Sequence, residues 1–348
     1  SQGNPPPNFT NSNQIFVIQN THNMTATAQW IVTGTNSHVR ILNGGTMVTG
    51  AYDHQITGTV YNGGTYWVTH DKYNNLGWGG NGLLEPTSNF VIDNADMGTS
   101  DFKDTVSYGN LIIKQGTTGC RGGTTGFEIK GTLKVEGGSF SGGLTEDQTL
   151  SIAAILVSGG IFEASSGGAN VVINMSGNIL VSSGFFRGST GSGQVTINNC
   201  QNLTVEGGYF YGSTGSTRTI YNILGDVSIS SWFFAVHRAS GDLPYNVYNI
   251  GGSFSSNNYY YAVNAEQVGY PTLNFTGAGK TISFGNLSTT QARHTIDFSS
   301  GSSYTMQSDL PFYNWMQFRA RGTLDAGNYQ VKAIGANTSF GIWGTFKT

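Results

Sequence analysis

The eight-residue phrase ILVSSGFF at 179–186 returns 24 residues later as LTVEGGYF at 203–210. Both belong to a longer series. Leu133, Ile155, Ile179, Leu203, Val227 and Val247 each open an apolar-x-apolar unit, and Phe140, Phe162, Phe186, Phe210, Phe234 and Phe254 stand seven residues after them. The starts are separated by 22, 24, 24, 24 and 20 residues. Between each apolar pair and its Phe lies a two-residue break: Gly137-Gly138, Gly159-Gly160, Ser183-Gly184, Gly207-Gly208, Ser231-Trp232 and Gly251-Gly252. Glycine allows backbone angles and close approaches that a β-carbon obstructs, so the break reads as a corner or bulge.

A second register rides on the first. Val171 and Ile173, Val195 and Ile197, and Thr219 and Tyr221 recur at the same interval, as do Asn174, Asn198 and Asn222. Asn178, Asn202 and Asp226 share it too, just before the apolar starts. Short alternating segments and Gly/Ser/Asn turns at this period are the mark of stacked coils, which bury their apolar faces only against one another. Leucine-rich repeats need an L-x-x-L-x-L skeleton and helical repeats need 3.6-residue periodicity, and neither is present. Propeller blades need about 40 residues, and a sandwich has no reason to repeat Phe in register. The expectation is an all-β, right-handed parallel β-helix, a β-solenoid with coils of about 20–24 residues and two or three strands per coil. Successive rungs should rise by about 4.8 Å, with Phe on Phe and with Asn ladders compatible with the core.

The repeat fades toward both ends. Leu111 and Ile113 precede Gly116 by the same offsets, and NGGTMV at 43 recurs as NGGTYWV at 62, after 19 residues. A single domain over 1–348 follows, with irregular coils at 1–110, regular ones at 111–260 and C-terminal coils at 261–348. LNFTGAGKTISFGN at 273 keeps short strands and Gly turns, and the chain stops at Phe346-Lys347-Thr348 without a polar cap. An uncapped solenoid end exposes a strand edge. The expectation is therefore a longer polypeptide or a partner covering that end.

Charged residues are only 10 % of the chain and the formal charge is -3, so no basic field attracts phosphates and nucleic acid is excluded as a partner. No apolar run of about 18 residues spans a membrane. The opening SQGNPPPNF lacks a signal-peptide core and looks like a mature terminus after export. Cys120 and Cys200 fall three coils apart, roughly 14 Å, too far for a disulfide; two buried free thiols are expected.

The units ILVSSGFFRGSTGSGQVTINNCQNLTVEGGYFYGSTGS and RGTLDAGNYQVKAIG resemble the repetitive secreted and cell-surface proteins of Bacteroidota, many of them cargo of the type IX secretion system. The resemblance covers roughly 110–348. It implies an exported surface solenoid, adhesin-like, that meets the secretion machinery during export, and it carries no catalytic residue with it.

The densest polar and aromatic cluster is N-terminal: Asp53, His54, His70, Asp71 and Lys72 beside Tyr61, Tyr66, Trp67, Tyr73 and Trp78. Aromatic faces stack on sugars, so Tyr61, Tyr66, Trp67, His70, Asp71, Tyr73 and Trp78 form the candidate ligand-binding set, against the alternative of strand-connecting turns. The segment DNADMGTSDFKD offers Asp93, Asp96, Asp101 and Asp104 as oxygen ligands for calcium, although it lacks the EF-hand order and Lys103 sits among the acids. No other cofactor is implied. Tyr259, Tyr260 and Tyr261 form a further candidate sticky patch. The paired Asp-Asp and Gly-His-Gly motifs of polygalacturonase-like enzymes are absent, and Glu136, Glu163, Glu206, Arg187, Arg218, His237 and Arg238 stand isolated along the regular coils. Three functions compete: a cell-surface structural or adhesive solenoid engaging surface glycans or proteins, a polysaccharide-degrading lyase or hydrolase, and a non-catalytic carbohydrate-binding module. The first accounts for the most residues, and the catalytic reading lacks a convergent set of acids and bases.

Overall fold

The computed structural model describes residues 8–52, 55–56, 59–70, 83–84, 87–94, 100–101, 107–120, 125–215, 217–234, 246–260, 271–287, 295–312, 316–334 and 338–348. Among these there is no helix, and the strands pair in parallel with the coil before and the coil after. No helix is therefore long and apolar enough to cross a membrane. The chain is a parallel β-solenoid.

Three flat faces run along it. The first stacks Ile15–Ile18 on His38–Ile41 and continues through Val171–Met175, Val195–Cys200 and Thr219–Ile223 to Ser339–Ile342. The second begins at Asn23–Thr25 and passes through Thr65–Val68, Leu203–Val205 and Val227–Ile229 to Thr345–Lys347. The third runs from Ser100–Asp101 and Thr117–Gly119 through Ser139–Ser141, Tyr209–Ser213 and Trp232–Phe234 to the ends of Phe254–Tyr260 and Lys280–Leu287, while Asn8–Phe9, Ile31–Val32 and Gln55–Ile56, and likewise Leu310–Phe312 and Val331–Ala333, pair in small parallel sheets of their own. Alternation decides which side chain goes inward, because successive strand residues point to opposite faces. In Val171–Met175 the Val, Ile and Met are buried while Val172 and Asn174 are half-buried on the outside.

The starts Leu111, Leu133, Ile155, Ile179, Leu203 and Val227 are register partners in succession, as the repeat predicts. The N-terminal recurrence holds as well, with Thr46 opposite Thr65. Inside the third face, Phe140, Phe162, Phe186 and Phe210 stack with centroids 5.8, 4.7 and 4.8 Å apart. Each buried ring contributes about 1.5–3 kcal/mol by burial, and each stacked pair about 0.5–1.5 more.

The next rung departs from the constant seven-residue offset. Phe233, not Phe234, pairs with Phe210, at 4.9 Å and 7° between ring planes. The cause is a shorter corner. Three residues separate Val205 from Tyr209, and the last of them, Gly208, has φ 68° and sits where a β-carbon would be 2.4 Å from the Gly184 carbonyl oxygen. After Ile229 only Ser230 and Ser231 intervene before Trp232, which pairs with Tyr209. Ser231 Oγ closes this tighter turn by donating to the Gly208 carbonyl at 3.0 Å.

The series then slips again. Phe254 is the partner of Val227, and Val247 belongs to the first face, opposite Ile220. This coil is thus 27 residues long, its extra length falling in the stretch that contains 235–245, outside the described residues.

The Asn ladder exists but lies on the outer side of the first face, half-buried, rather than in the core. Asn198 Nδ2 donates to Asn174 Oδ1 at 3.1 Å, Asn222 to Asn198 at 2.8 Å, Asn249 to Asn222 at 2.7 Å and Asn274 to Asn249 at 2.9 Å. An inward Asn would displace an apolar side chain from the continuous core, whereas an outward one links rungs at no such cost. Opposite Asn274 the column changes to Asp297, which Arg321 grips through Nε at 3.1 Å and Nη2 at 2.6 Å. Asn178, Asn202 and Asp226 line a corner, each accepting from a backbone N–H of the following coil at 3.1, 2.8 and 2.7 Å.

Candidate functional site

The described members of the N-terminal aromatic set face in different directions. Tyr66 points inward, buried and stacked on Phe90 at 5.6 Å, so it has no surface to offer a ligand. Tyr61 is on the first face, with His38 edge-on at 5.1 Å and the Arg40 guanidinium over its ring at 5.3 Å. Trp67 is on the second face, around the corner. Its Nε1 donates to Asp93 Oδ2 at 3.2 Å, and Lys114 Nζ lies 4.3 Å from its ring centroid. Strand pairing makes this cluster, since Trp67, Val91 and Ile112 occupy successive rungs. His70 is half-buried two residues beyond the strand Thr65–Val68. Asp53, His54, Asp71, Lys72, Tyr73 and Trp78 lie outside the described residues.

For calcium, the two described acids are separated in role. Asp93 is engaged by the Trp67 indole, and Asp101 ends a short strand whose backbone pairs with Gly119. Asp96, Lys103 and Asp104 lie outside the described residues. Among the described residues no group of three His, Cys, Asp or Glu side chains is placed to hold a metal ion.

Residues that look isolated along the sequence are brought together on the third face. Glu163 and Arg187 are register partners on consecutive rungs, joined by an ion pair of 2.8 Å. Glu136 pairs with Lys134 at 2.6 Å on the second strand run. Each carboxylate is neutralised by a neighbour, which suits a scaffold better than proton transfer.

The third face also carries an aromatic column that single-residue reading misses. Phe185, Tyr209 and Trp232 each precede a buried ladder Phe, so each faces outward, on consecutive rungs. Phe185 stacks on Tyr209 at 5.1 Å and 10°, and Tyr209 on Trp232 at 6.1 Å and 20°. Tyr211, two residues along the same strand, keeps its ring within 3° of the Tyr209 plane at 6.0 Å. Arg187 places its guanidinium 5.4 Å from the Phe185 centroid, which roots the ion pair in the same patch. Trp232 is 41 % exposed and the other three rings are half-buried. Partial burial raises the Tyr211 pKa, the neighbouring Tyr209 adds to that, and Arg187 opposes it, so the phenol is neutral at physiological pH.

By backbone register the strand position of Glu163, Arg187 and Tyr211 continues to Phe234 and Tyr260. This gives the tyrosine run a place: Tyr259 is in register with the inward Phe233, Tyr260 with Phe234, and Tyr261 lies outside the described residues. The signal in the sequence is an aromatic residue immediately before, or two residues before, the repeat Phe position.

Both cysteines are free and buried, as expected from their separation. Burial pushes the Cys200 thiol up to about 12, and its Sγ lies 3.3 Å from the Asn202 carbonyl. A thiol so hard to ionise is no nucleophile. No protein-family model, curated protein or solved structure matches the chain.

Proposed function

We propose that the chain is an exported cell-surface solenoid of structural or adhesive kind, of the sort that its repeat units resemble among Bacteroidota type IX cargo. The observation that carries this reading is the uninterrupted parallel stack. Its core passes from coil to coil, and its polar columns bond to each other along the axis. Such a molecule is stiff along its length and presents flat, low-charge flanks, which is what a surface spacer or adhesive rod requires.

Three of the described acids, Glu163, Glu136 and Asp297, are each held by a cation, which supports binding over turnover. The outward rings of the third face supply a contact surface. Protease treatment of intact producing cells tests the assignment. The expected result is loss of the chain from unlysed cells, and complete protection until lysis refutes it.

A further inference from the structure

We infer that the outward aromatic face built by Phe185, Tyr209, Tyr211 and Trp232 binds an extended, uncharged polysaccharide. This rests on the adhesive reading and gives it a ligand.

Three observations converge. The rings are held in parallel on consecutive rungs: Phe185, Tyr209 and Tyr211 lie within 10° of one another, and Trp232 closes the column at 20° to Tyr209. Rungs rise by about 4.8 Å, close to the length of one pyranose ring, so successive sugars meet equivalent surface. Second, tyrosine and tryptophan combine an apolar ring with a polar O–H or N–H, matching a sugar's apolar C–H patches and its hydroxyls. Third, the charges are already answered. Arg187 is bound to Glu163 at 2.8 Å and sits against the Phe185 ring, so among the described residues this patch carries no net charge to recruit a uronate or sulfate. An anionic polymer would have to compete with Glu163 for Arg187.

Rigidity strengthens the inference. Each ring rests on a neighbour and on a backbone fixed by pairing on both sides, so little side-chain freedom remains to be lost on binding.

The test is affinity gel electrophoresis of the 348-residue chain in gels containing hydroxyethyl cellulose, xylan, galactomannan or soluble starch, with polygalacturonate as the anionic arm. The expected result is retardation by at least one neutral polymer and none by polygalacturonate alone. Trp232→Ala and Tyr209→Ala should each weaken that retardation by about tenfold or more, as loss of a central aromatic anchor does. Far-ultraviolet circular dichroism and melting of each variant show that the solenoid remains folded; Tyr211→Ala serves as the second probe should Tyr209→Ala unfold. Absence of retardation by every neutral polymer, binding to polygalacturonate alone, or affinity kept within about twofold in the folded Trp232→Ala chain overturns the assignment. Protease shaving reports separately on surface location, so a chain exposed on cells that ignores these polymers refutes the glycan face and leaves the adhesive reading standing.

Discussion

Truncating Phe233 should cost far more stability than truncating its neighbour Trp232, and the pair tests the register at the short corner. Phe233 is 1 % exposed, stacked on Phe210 at 4.9 Å and tilted against Tyr248 at 5.6 Å. Phe233→Ala removes a whole ring from a packed core, about 3–5 kcal/mol, of which the two aromatic contacts account for roughly 0.5–1.5 each. In a solenoid each coil touches only its neighbours, so the lesion weakens one junction and should split unfolding into two steps there. Trp232 is 41 % exposed and stacks on Tyr209 at 6.1 Å, so the exposed ring's truncation in Trp232→Ala should cost less than Phe233→Ala, about 1 kcal/mol. Urea unfolding followed by circular dichroism measures both, as one transition for Trp232→Ala and as two for Phe233→Ala. Equal costs, or a larger one for Trp232→Ala, would mean that the inward rung of this coil is not Phe233.

Gly208→Ala should destabilise by about 1–3 kcal/mol, because φ is 68° and the new β-carbon would fall 2.4 Å from the Gly184 carbonyl; a melting temperature unchanged from the parent refutes the strained corner. Arg321→Met leaves the buried Asp297 carboxylate without its clamp. The loss should be about 1–2 kcal/mol, reduced from a fully buried pair because the Arg321 side chain is 51 % exposed. Asp297→Asn in the Arg321→Met background should restore most of that, since an amide continues the Asn column; a double variant no more stable than the single refutes it. Stability should fall from pH 9 to pH 12. Cys200 is held at about 12 against an ordinary 9.0, and Tyr304 at about 12 against 10.0, so the unfolded chain releases these protons first. The contribution is complete below pH 9 and lost as the pH rises through 12; urea midpoints at pH 8 and pH 10.5 that coincide would refute burial of these groups.

The stretch in which the coils run to 22 or 24 residues was legible residue by residue. From Leu133 to Leu203 the apolar starts, the Phe ladder and the Asn column follow from counting, because a fixed seven-residue offset from each start to its Phe keeps each position on one side of one strand. Counting failed where the corner lost one residue, since a single deletion exchanges inward and outward positions along a strand. It failed again at VYNIGGSF, 247–254, which imitates the apolar, Gly-Gly, Phe pattern of LTVEGGYF. There Tyr248 and Ile250 point inward, Val247 points outward, and Phe254 opens the next unit. The aromatic face escaped notice for a different reason. Phe185, Tyr209 and Trp232 are 24 and 23 residues apart and mean nothing singly; only the stacking of coils makes them neighbours. The N-terminal aromatics were adjacent along the chain, which in alternating strands sends half of them into the core, as with Tyr66 beside Trp67.

Stacking also divides the flanks by what their side chains have left to give. On the first face each Asn amide between the ends of the column both donates to one neighbour and accepts from the next, from Asn198 through Asn249. A ligand there would compete with bonds already made at 2.7–3.1 Å, and it would gain only the exchange between two equivalent partners. On the third face the rungs are joined instead by ring stacking among Phe185, Tyr209, Tyr211 and Trp232. Both faces rise by the same repeat and rest on the same core. The amide column therefore ties the coils together through hydrogen bonds and the aromatic column ties them through rings, and the repeat that builds stiffness also sets the spacing at which the proposed polysaccharide would meet the third face.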